Sequence, residues 1–265
     1  MFRLTMVQMT SRIGDLDGNL RKMLEFTDDS KGSDLICFPE MSLTGYGTSL
    51  PDDCFIDASD KHVRDLVCSA SKAGIAIVFG FARRNDGRKH VSHAFACPDG
   101  PLAVYDKTHL GVSERHAYDS GDLFLVASAG RAKVGVELCS ESHFPEISTC
   151  LRSMGADLIL APHASSIEAK RRVELWKKYL PARAYDNGVF VAACNRLPEG
   201  GILILDRKGE VVAEDVSVVE GAVTVDIDVL SPRVPPERRV TMAETDYFSL
   251  RRPELYGDVA RRRET

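Results

Sequence analysis

Short apolar runs alternate with amphipathic helical patterns along most of the chain, and this alternation restricts it to folds that combine strands with helices. The pattern predicts strands up to Met9 and over residues 34–38, 75–81, 91–97, 102–105, 123–127, 133–138, 157–161, 189–194, 202–205, 211–213 and 222–227. It predicts helices around 20–26, 63–74, 145–155 and 167–187, the last interrupted at Pro181. We expect strand 157–161 to stop at Pro162 and His163, and the last three strands to follow one another as a meander.

Two eleven-residue stretches of the chain resemble each other. Residues 32–42 read Gly-Ser-Asp-Leu-Ile-Cys-Phe-Pro-Glu-Met-Ser, and residues 155–165 read Gly-Ala-Asp-Leu-Ile-Leu-Ala-Pro-His-Ala-Ser. An approximate two-fold repeat of helix, strand and loop would account for this, and it would imply two similar sheets packed face to face with helices outside. Chance similarity between two buried strands is an equally good account, because strands that start in this way are common in α/β chains.

The composition is that of an ordinary globular protein, with 44% hydrophobic and 28% charged residues in a chain of 265. Because no linker-like stretch divides the chain, we expect a single domain over residues 1–265. The formal net charge of -5 provides no basic surface for nucleic acid. The short run of arginines at 261–263 is expected to be a solvated tail.

The N-terminal residues show an alternating strand pattern without the charged and apolar regions of a signal peptide. No apolar run approaches membrane-spanning length. The seven cysteines are an odd number scattered through apolar segments, which indicates reduced thiols rather than a disulfide framework. We therefore expect a cytoplasmic protein that has neither a membrane nor a nucleic acid as its partner.

Three residues of complementary chemistry follow predicted strands, at the end where α/β proteins collect reactive groups: Glu40, Lys107 and Cys139. A thiol attacks only when deprotonated, so a carboxylate can act as its base, while an ammonium group lowers its pKa and stabilises a developing oxyanion. Each residue alone has an ordinary explanation, as a buried thiol, a surface carboxylate or a lysine that reaches solvent from a strand end. The surrounding sequences favour the chemical interpretation.

The sequence around each of these residues resembles a motif of the nitrilase or carbon–nitrogen hydrolase superfamily. Phe38-Pro-Glu-Met-Ser-Leu-Thr-Gly-Tyr46 resembles its glutamate motif, Tyr105-Asp-Lys-Thr-His-Leu110 its lysine motif, and Gly135-Val-Glu-Leu-Cys-Ser-Glu-Ser-His-Phe-Pro-Glu146 its cysteine motif. The three motifs occur in the family's order. Similar blocks at 155–160, 182–195 and 252–256 extend the resemblance over nearly the entire chain.

The resemblance, to the amidase-like branch in particular, implies an α/β fold, the four-layer α-β-β-α sandwich, and a cysteine-dependent hydrolase of non-peptide C–N bonds. In such an enzyme Cys139 would attack an amide or N-carbamoyl carbon, Glu40 would move the proton, and Lys107 with the Ser140 backbone N–H would hold the oxyanion. Glu114 falls where the family has a second glutamate that positions the lysine. The resemblance implies no metal or organic cofactor, and a homodimer with the C-terminal tail from about residue 231 at its interface.

The resemblance also implies four substrate-binding residues, which are Tyr46, Ser140, His143 and His163. His143 stands where many amidase branches have arginine, and His163 with the Ser165-Ser166 pair lies where pocket residues vary between branches. Either histidine can instead be a core or rim residue whose nitrogens are satisfied by backbone groups. Glu141, two residues after the cysteine, takes a position that is often aspartate in the family.

Several alternatives remain open at the level of sequence. Nitrile hydrolysis is disfavoured because nitrilases proper tend to be longer, whereas an amine could intercept the same thioester in a thiol acyl transfer. A different enzyme would be a Cys/His hydrolase with His109, His116 or His143 as its base. A noncatalytic scaffold is a further alternative, which the presence of all three chemical residues disfavours. His90 and His93 are spaced like metal ligands, but on an alternating strand they point to opposite faces, which disfavours zinc.

Overall fold

The computed structural model describes residues 1–229 and 246–257. In it, the chain forms two six-stranded sheets with helices on their outer faces. The first sheet contains β1 (Phe2–Gln8), β2 (Leu35–Cys37), β3 (Ala76–Asn85), β4 (Arg88–Ala96), β5 (Ala103–Asp106) and β12 (Gly221–Ile227). The second contains β6 (Val126–Ala129), β7 (Ala132–Val136), β8 (Leu158–His163), β9 (Phe190–Asn195), β10 (Ile202–Leu205) and β11 (Val211–Asp215). The α-helices are α1 (Leu16–Asp29), α2 (Lys61–Ala73), α3 (Pro145–Ser153), α4 (Ala169–Trp176) and α5 (Leu180–Asn187).

Each sheet is built around three parallel strands in sequence order. β1, β2 and β3 are joined by α1 and α2, and β7, β8 and β9 are joined by α3, α4 and α5. Antiparallel strands continue both sheets, as β4 and β5 in the first and as β10 and β11 in the second. The strand orders β12-β1-β2-β3-β4-β5 and β6-β7-β8-β9-β10-β11 therefore correspond strand for strand.

This correspondence decides between the two explanations of the internal similarity. The similar stretches 32–42 and 155–165 contain β2 and β8, and each of these strands lies between two parallel neighbours at the same place in its sheet. Chance would not place the two stretches at matching positions of matching sheets. The stretches are therefore parts of a structural two-fold repeat.

The layers follow from the alternation of side chains along the strands. Leu35 and Cys37 of β2 pack with Leu158 of β8 in a core between the two sheets. Ile36, which points the other way, belongs to a second core with residues of α1 and α2, and Ile159 belongs to a third core with residues of α3, α4 and α5. The order of layers is helices, sheet, sheet, helices, which confirms the predicted four-layer sandwich.

Local sequence signals set several helix ends. The side chain of Asp60 accepts a hydrogen bond of 2.9 Å from the backbone N–H of His62 and so caps the start of α2. Gly74 ends α2 in the left-handed conformation, with a φ of 68° that glycine adopts without strain. Pro181 lies in the first turn of α5, where its missing N–H breaks no helical hydrogen bond. It therefore divides the long helical stretch into α4 and α5, as predicted.

One strand is longer than the sequence predicts. β8 does not stop at Pro162 but continues through His163, because Pro162 pairs with Cys194 and His163 pairs with Asn195 of β9. The pairing of β8 with β7 covers only 158–160, so the N–H that Pro162 lacks falls where β8 has a partner on one side. The prediction that the strand ends at these two residues is therefore wrong.

The last strand leaves the predicted meander. β12 does not pair with β11 but crosses to the first sheet, where it runs antiparallel to β1 with Phe2 opposite Ile227 and Gln8 opposite Gly221. The crossing covers the edge of β1 that β2 leaves open, and an uncovered edge would expose a row of unpaired backbone groups. It also links the two sheets through the chain itself.

Parts of the sequence predictions fall on residues 230–245 and 258–265, which lie outside the described residues. They include most of the tail from about residue 231, its proposed place at a dimer interface, and the arginine run at 261–263. The extent of a single domain over 1–265 likewise stays a prediction. Among the helices of the described part of the chain, none combines the length and apolar character needed to cross a membrane.

Candidate active site

Cys139 lies where the chain leaves β7 and enters a 3-10 turn over Cys139–His143. Its φ is 48°, in the left-handed region that residues other than glycine rarely adopt. Met41, directly after Glu40, has a similar φ of 55°. Such strained residues cluster at functional sites, where the surrounding structure holds a side chain in a direction that a relaxed backbone would not give it. The thiol and the carboxylate are thus presented from two strained turns, one in each half of the repeat.

Lys107 lies between two glutamates at the centre of the site. Its Nζ donates hydrogen bonds of 2.8 Å to Oε1 of Glu40 and of 2.9 Å to Oε1 of Glu114, and all three side chains are almost fully buried. The backbone N–H of Gly111 donates to Oε2 of Glu114 at 2.6 Å. The hydroxyl of Tyr46 donates to Oε1 of the same carboxylate at 3.0 Å. The structure therefore brings the predicted glutamates and lysine into one hydrogen-bonded cluster.

The ionisation of these groups follows from burial and from their mutual charges. Burial raises the pKa of Glu40 to about 7, although the adjacent ammonium of Lys107 acts in the opposite direction. Burial alone would lower the pKa of Lys107, but Glu40, Cys139 and Glu114 raise it well above its usual value. Burial and the charge of Glu40 raise the pKa of the Cys139 thiol to about 12, partly offset by Lys107 and by a hydrogen bond from the Ala164 backbone N–H. At neutral pH the resting site therefore holds a thiol, an ammonium group and a carboxylate that readily exchanges a proton.

Glu141 ties the loop after the lysine to the loop of the cysteine. Its Oε1 accepts hydrogen bonds of 2.6 Å from the Tyr105 hydroxyl, 2.9 Å from the Thr108 backbone N–H and 3.0 Å from the His109 backbone N–H. Its Oε2 accepts a hydrogen bond of 2.7 Å from the Leu138 backbone N–H. A fully buried carboxylate with four such donors holds both loops in register. An acidic residue two positions after the cysteine thus has a structural reason.

The turn that presents Glu40 also depends on a glycine in the neighbouring strand β3. A Cβ atom on Gly80 would lie 2.2 Å from the backbone nitrogen of Met41 and 3.0 Å from the carbonyl carbon of Glu40. Only glycine therefore allows this turn to approach the sheet. The Nδ1 atom of His93, whose buried ring borders the same space, would lie 2.9 Å from that Cβ atom.

The structure gives the four predicted substrate-binding residues different surroundings. Tyr46 contacts the central cluster through Glu114. The Ser140 hydroxyl donates to the His109 backbone oxygen at 3.0 Å, so its side chain joins the two loops. His143 is exposed at the rim, with its ring centroid 4.6 Å from that of Tyr179. These positions beside Cys139 keep Tyr46, Ser140 and His143 as candidates for contact with a substrate.

His163 is a satisfied core histidine. Its Nδ1 lies 2.8 Å from the Ala161 backbone oxygen and must carry the hydrogen, which leaves Nε2 to accept the hydrogen bond of 3.1 Å from Trp176 Nε1. Burial, and then the charge of Arg172, lower the pKa of His163 well below its usual value, so the ring is neutral. With both nitrogens occupied, the geometry favours the alternative interpretation of His163 over a direct contact with substrate.

The histidines of the rival Cys/His mechanism lie elsewhere. His109 shares a hydrogen bond of 2.8 Å with the Thr108 hydroxyl, and its ring lies 4.7 Å from that of Phe144. His116 is exposed. Within the described residues, no hydrogen bond joins either ring, or that of His143, to Cys139. The geometry therefore favours a carboxylate base over an imidazole base.

The pair with metal-like spacing shows no metal site. His90 shares a hydrogen bond of 2.8 Å with the Asp119 backbone oxygen, and burial lowers the pKa of His93 to about 3. In the part of the chain that the structure describes, no group of three or more His, Cys, Asp or Glu side chains is placed to hold a metal ion.

Sequence reasoning missed three polar residues close to the nucleophile. Burial raises the pKa of Glu137 to about 7, and its Oε2 accepts a hydrogen bond of 2.7 Å from the Ser148 hydroxyl. The ring centroid of Tyr179 lies 4.6 Å from that of His143 in the cysteine turn, and Arg172 of α4 donates to the Ser165 hydroxyl. Of these residues, Arg172 has a signal in the sequence, because it falls on the same helical face as the buried Val173 and Trp176.

The chain is similar in sequence to known carbon-nitrogen hydrolases and amidases. The model of the carbon-nitrogen hydrolase family matches residues 3–231. A glutamine-dependent NAD(+) synthetase from Thermotoga maritima is 32% identical over 247 residues, which are 85% of this chain. The chain spans only 42% of the length of that synthetase. An (R)-stereoselective amidase from a Pseudomonas species is 28% identical over 271 residues, covering 97% of this chain and 93% of the amidase.

Solved structures show the same fold. The crystal structure of an amidase from Nesterenkonia sp. superposes with a TM-score of 0.80 at 25% identity, covering 97% of this chain and 96% of the amidase. A glutamate-to-glutamine variant of the amidase from Nesterenkonia sp. AN1, with the same TM-score and identity, carries the acetamide moiety of fluoroacetamide on its active-site cysteine. In that relative, the cysteine is the residue that reacts.

Proposed function

The chain belongs to the carbon-nitrogen hydrolase family, and from this premise we propose that it hydrolyses small amides or N-carbamoyl compounds through a thioester on Cys139. One observation carries the proposal. The ammonium of Lys107 lies 2.8 Å from Glu40 and 2.9 Å from Glu114, and the charges of all three act on the Cys139 thiol. These groups would supply a base and an oxyanion-stabilising cation from one buried cluster to a half-buried thiol, the proposed nucleophile.

The first half of the reaction forms the thioester. Transfer of a proton from the thiol to Glu40 is uphill in the resting site, since their pKa values are about 12 and about 7. The proton therefore moves to Glu40 as the sulfur bonds to the substrate carbon. Lys107 and the Ser140 backbone N–H stabilise the oxyanion, and Glu40 then passes the proton to the leaving nitrogen. The C–N bond breaks, and ammonia or an amine departs.

The second half of the reaction releases the acid. Glu40, again unprotonated, takes a proton from a water molecule as the water oxygen attacks the thioester carbon. The C–S bond breaks, and the proton returns to the sulfur of Cys139. The sum is amide plus water to acid plus ammonia or amine, and every step uses groups of the chain itself. The buried, fully hydrogen-bonded position of Glu114 keeps Lys107 protonated throughout.

The substrate class is supported by the relatives. The (R)-stereoselective amidase aligns over 97% of this chain and 93% of its own length, so its whole domain corresponds to this one. A protein named nitrilase from Pyrococcus abyssi aligns almost as well, with 28% identity over 97% of this chain. Nitriles therefore belong in any test of substrates, with amides as the expected class.

The proposal is tested by measuring ammonia release from a panel of small amides, ω-amides, N-carbamoyl compounds and nitriles. The expected result is release from at least one amide or N-carbamoyl compound, lost in Cys139→Ala. Cys68→Ala is the matched control, because Cys68 is an exposed thiol on α2. Added hydroxylamine or a primary amine would divert the acyl group and reveal acyl transfer. Uniformly absent release across the panel would contradict the proposal and favour a noncatalytic scaffold.

We also propose a cytoplasmic homodimer. All seven cysteines are free thiols in the structure, which suits a reducing compartment. The 3-10 turns near the C-terminus expose Leu250, Leu255 and Tyr256, apolar side chains that a partner copy could cover. Light scattering coupled to size exclusion would test the dimer, for which we expect twice the chain mass of 29.2 kDa.

A further inference from the structure

Arg172 is a buried cation to which the described residues supply no carboxylate. Its side chain, on the inner face of α4, is 8% exposed. One terminal nitrogen donates to the Ser165 hydroxyl, while its Nε is buried and has no acceptor in the described part of the chain. Lys107, the other buried cation of the site, pairs with two carboxylates. The guanidinium of Arg172 therefore differs from Lys107 in lacking an anion.

Contacts link the guanidinium to the end of β8 and to the cysteine turn. Its acceptor, Ser165, lies two residues after His163, the last residue of β8. Trp176 of the same helix donates to His163. Tyr179, less than one turn further along, has its ring centroid 4.6 Å from that of His143 in the cysteine turn. The charges of both Arg172 and Cys139 act on the Tyr179 hydroxyl, whose pKa burial raises to about 12, in agreement with these contacts.

The residues in contact with Arg172 bring no anion to it. Partial burial, and then the charge of Arg172, lower the pKa of His143 at the rim, and the buried His163 is neutral for the reasons given above. Glu137, whose charge also acts on Tyr179, is hydrogen-bonded to Ser148 instead, and burial raises its pKa to about 7. Arg172 Nε and Tyr179 Oη are both buried, and within the described residues neither meets a hydrogen-bond partner.

Arg172 is held rigidly in this position. Its acceptor, Ser165, is itself held by two hydrogen bonds. The Ser165 backbone N–H donates a hydrogen bond of 2.8 Å to Asn195 Oδ1, and the Ser165 hydroxyl accepts one of 3.2 Å from the Ile167 backbone N–H. The guanidinium carbon also lies 6.0 Å from the centroid of the Trp176 ring. A fixed, desolvated guanidinium with free donors binds a carboxylate strongly, because its planar fork matches the two oxygens and little entropy remains to be lost.

We propose that Arg172, assisted by Tyr179, binds a free carboxylate on the substrate, so that the preferred substrates are amides or N-carbamoyl compounds that carry a carboxylate away from the scissile bond. This inference rests on the proposed amide hydrolysis and names its substrate class. A guanidinium left without an anion in a buried site is costly, and a substrate carboxylate supplies the missing charge. A neutral amide of equal size would leave the guanidinium unpaired.

Kinetics with matched substrates test the proposal. The monoamides of succinic and glutaric acid would be compared with the corresponding diamides, in which a neutral amide replaces the carboxylate at nearly equal size. We expect kcat/KM of the wild-type protein to favour a monoamide by about 10- to 100-fold, the usual range for a charged hydrogen bond. In Arg172→Met the ratio of kcat/KM for the monoamide to kcat/KM for the diamide should fall to about one, whatever the absolute rates. Arg172→Lys, which keeps the charge without the fork, should retain part of the preference.

The neighbouring arginine provides the matched control. Arg171 is exposed and pairs with Glu174 at 3.2 Å on the outer face of the same helix. Arg171→Met removes the same charge from α4 without touching the site, so it should keep the wild-type preference. If it weakens the preference as much as Arg172→Met does, the effect is one of general charge and the proposal is overturned.

A binding measurement separates this proposal from the hydrolytic one. Trp176 is the single tryptophan of the chain and lies against Arg172, so its fluorescence reports on this position. In Cys139→Ala, we expect glutarate to change the fluorescence with saturation, and the change to disappear when Arg172→Met is added. Glutarate binding, together with no turnover of any amide by the wild-type protein, would contradict the proposed hydrolysis but support the carboxylate site. Equal turnover of monoamides and diamides by the wild-type protein, with no saturable glutarate binding, would contradict the carboxylate site but support the hydrolysis.

Discussion

Glu40 and His163 occupy equivalent positions in the two halves of the repeat, yet one is the proposed base, paired with an ammonium group, and the other is a neutral support. Each is the ninth residue of its similar stretch, directly after a proline. Both are almost fully buried. The carboxylate of Glu40 pairs with Lys107, whereas both ring nitrogens of His163 are used within its own half of the fold, by Ala161 and Trp176.

The difference begins in the backbone. After Pro39 the chain leaves the sheet through Met41, whose φ of 55° turns Glu40 toward Lys107. After Pro162 the chain stays in β8, and His163 pairs with Asn195 of β9. The repeat therefore sets where a residue enters the site, while the turn and the available partner decide whether that residue does chemistry. The following predictions test this distinction, from the largest expected effect to the smallest.

Removing the charge from the proposed base should have the largest effect. Glu40→Gln keeps the size of the side chain but cannot accept a proton, so we expect kcat to fall by about 10³- to 10⁴-fold. Steady-state assays on the best amide of the panel would measure it. His163→Gln is the comparison variant, and its kcat should stay within about tenfold of wild type, because His163 moves no proton. Equal losses in the two variants would contradict the distinction.

The ionic partner of Glu40 should contribute more to stability than the neutral contacts of His163. Lys107→Met leaves two buried carboxylates without their cation, and removing one member of a buried ionic group costs about 3–5 kcal/mol. Urea denaturation of the variant near pH 8 would measure the loss. The loss should shrink as the pH falls below the raised pKa of Glu40, about 7, because a protonated carboxyl no longer needs the cation. A loss that does not depend on pH would argue against the ionic role.

His163 should matter for stability through hydrogen bonds alone. His163→Phe leaves the Trp176 Nε1–H and the Ala161 backbone oxygen without partners, which costs about 1–3 kcal/mol. The same urea experiment measures this, and here the loss should shrink by about 1 kcal/mol between pH 8 and pH 6, because the unfolded ring, with its ordinary pKa near 6.5, takes up a proton that the neutral folded ring excludes. A loss that grows toward pH 6 would mean that the folded ring carries the charge and that its neutral assignment is wrong.

The pH dependence of activity should change least. Because Glu40 must be ionised to accept the thiol proton, kcat/KM should fall about tenfold per pH unit below its pKa of about 7 and level off above it. The lysine and thiol pKa values lie far above this limb and do not set it. In His163→Gln the midpoint should move by less than about 0.3 pH unit. A midpoint that moves with His163 would assign the limb to the histidine.

Much of the catalytic half of the site could be predicted from the sequence, because its residues follow short apolar strands. Glu40, Lys107 and Cys139 each follow a strand, the first two in one sheet and Cys139 in the other, and sites form at the carboxyl ends of such strands. The helical spacing and the capping residues likewise predicted the helices. The contact of Glu114 with Lys107 came from the family resemblance, since nothing in the local pattern distinguishes this glutamate from a surface one.

The rest could not be predicted because it depends on long-range pairing. The crossing of β12 to β1 joins residues more than two hundred positions apart, and a strand pattern is the same whichever sheet it joins. Arg171 and Arg172 are adjacent arginines in one helix, and only packing shows that the first is exposed and the second buried. His163 was named as a substrate-binding residue with a core histidine as the open alternative, and only the packing shows that Ala161 and Trp176 occupy its two nitrogens.

The central claim is that Cys139 carries the acyl group of the substrate, and its most direct test is mass spectrometry of the protein quenched with acid during turnover of an amide. We expect a mass increase equal to that acyl group on the peptide that contains Cys139, reversed by hydroxylamine. The increase should persist in Cys68→Ala, and it should be absent, together with turnover, in Cys139→Ala. Turnover without an adduct on this peptide, or turnover that survives Cys139→Ala, would contradict the account.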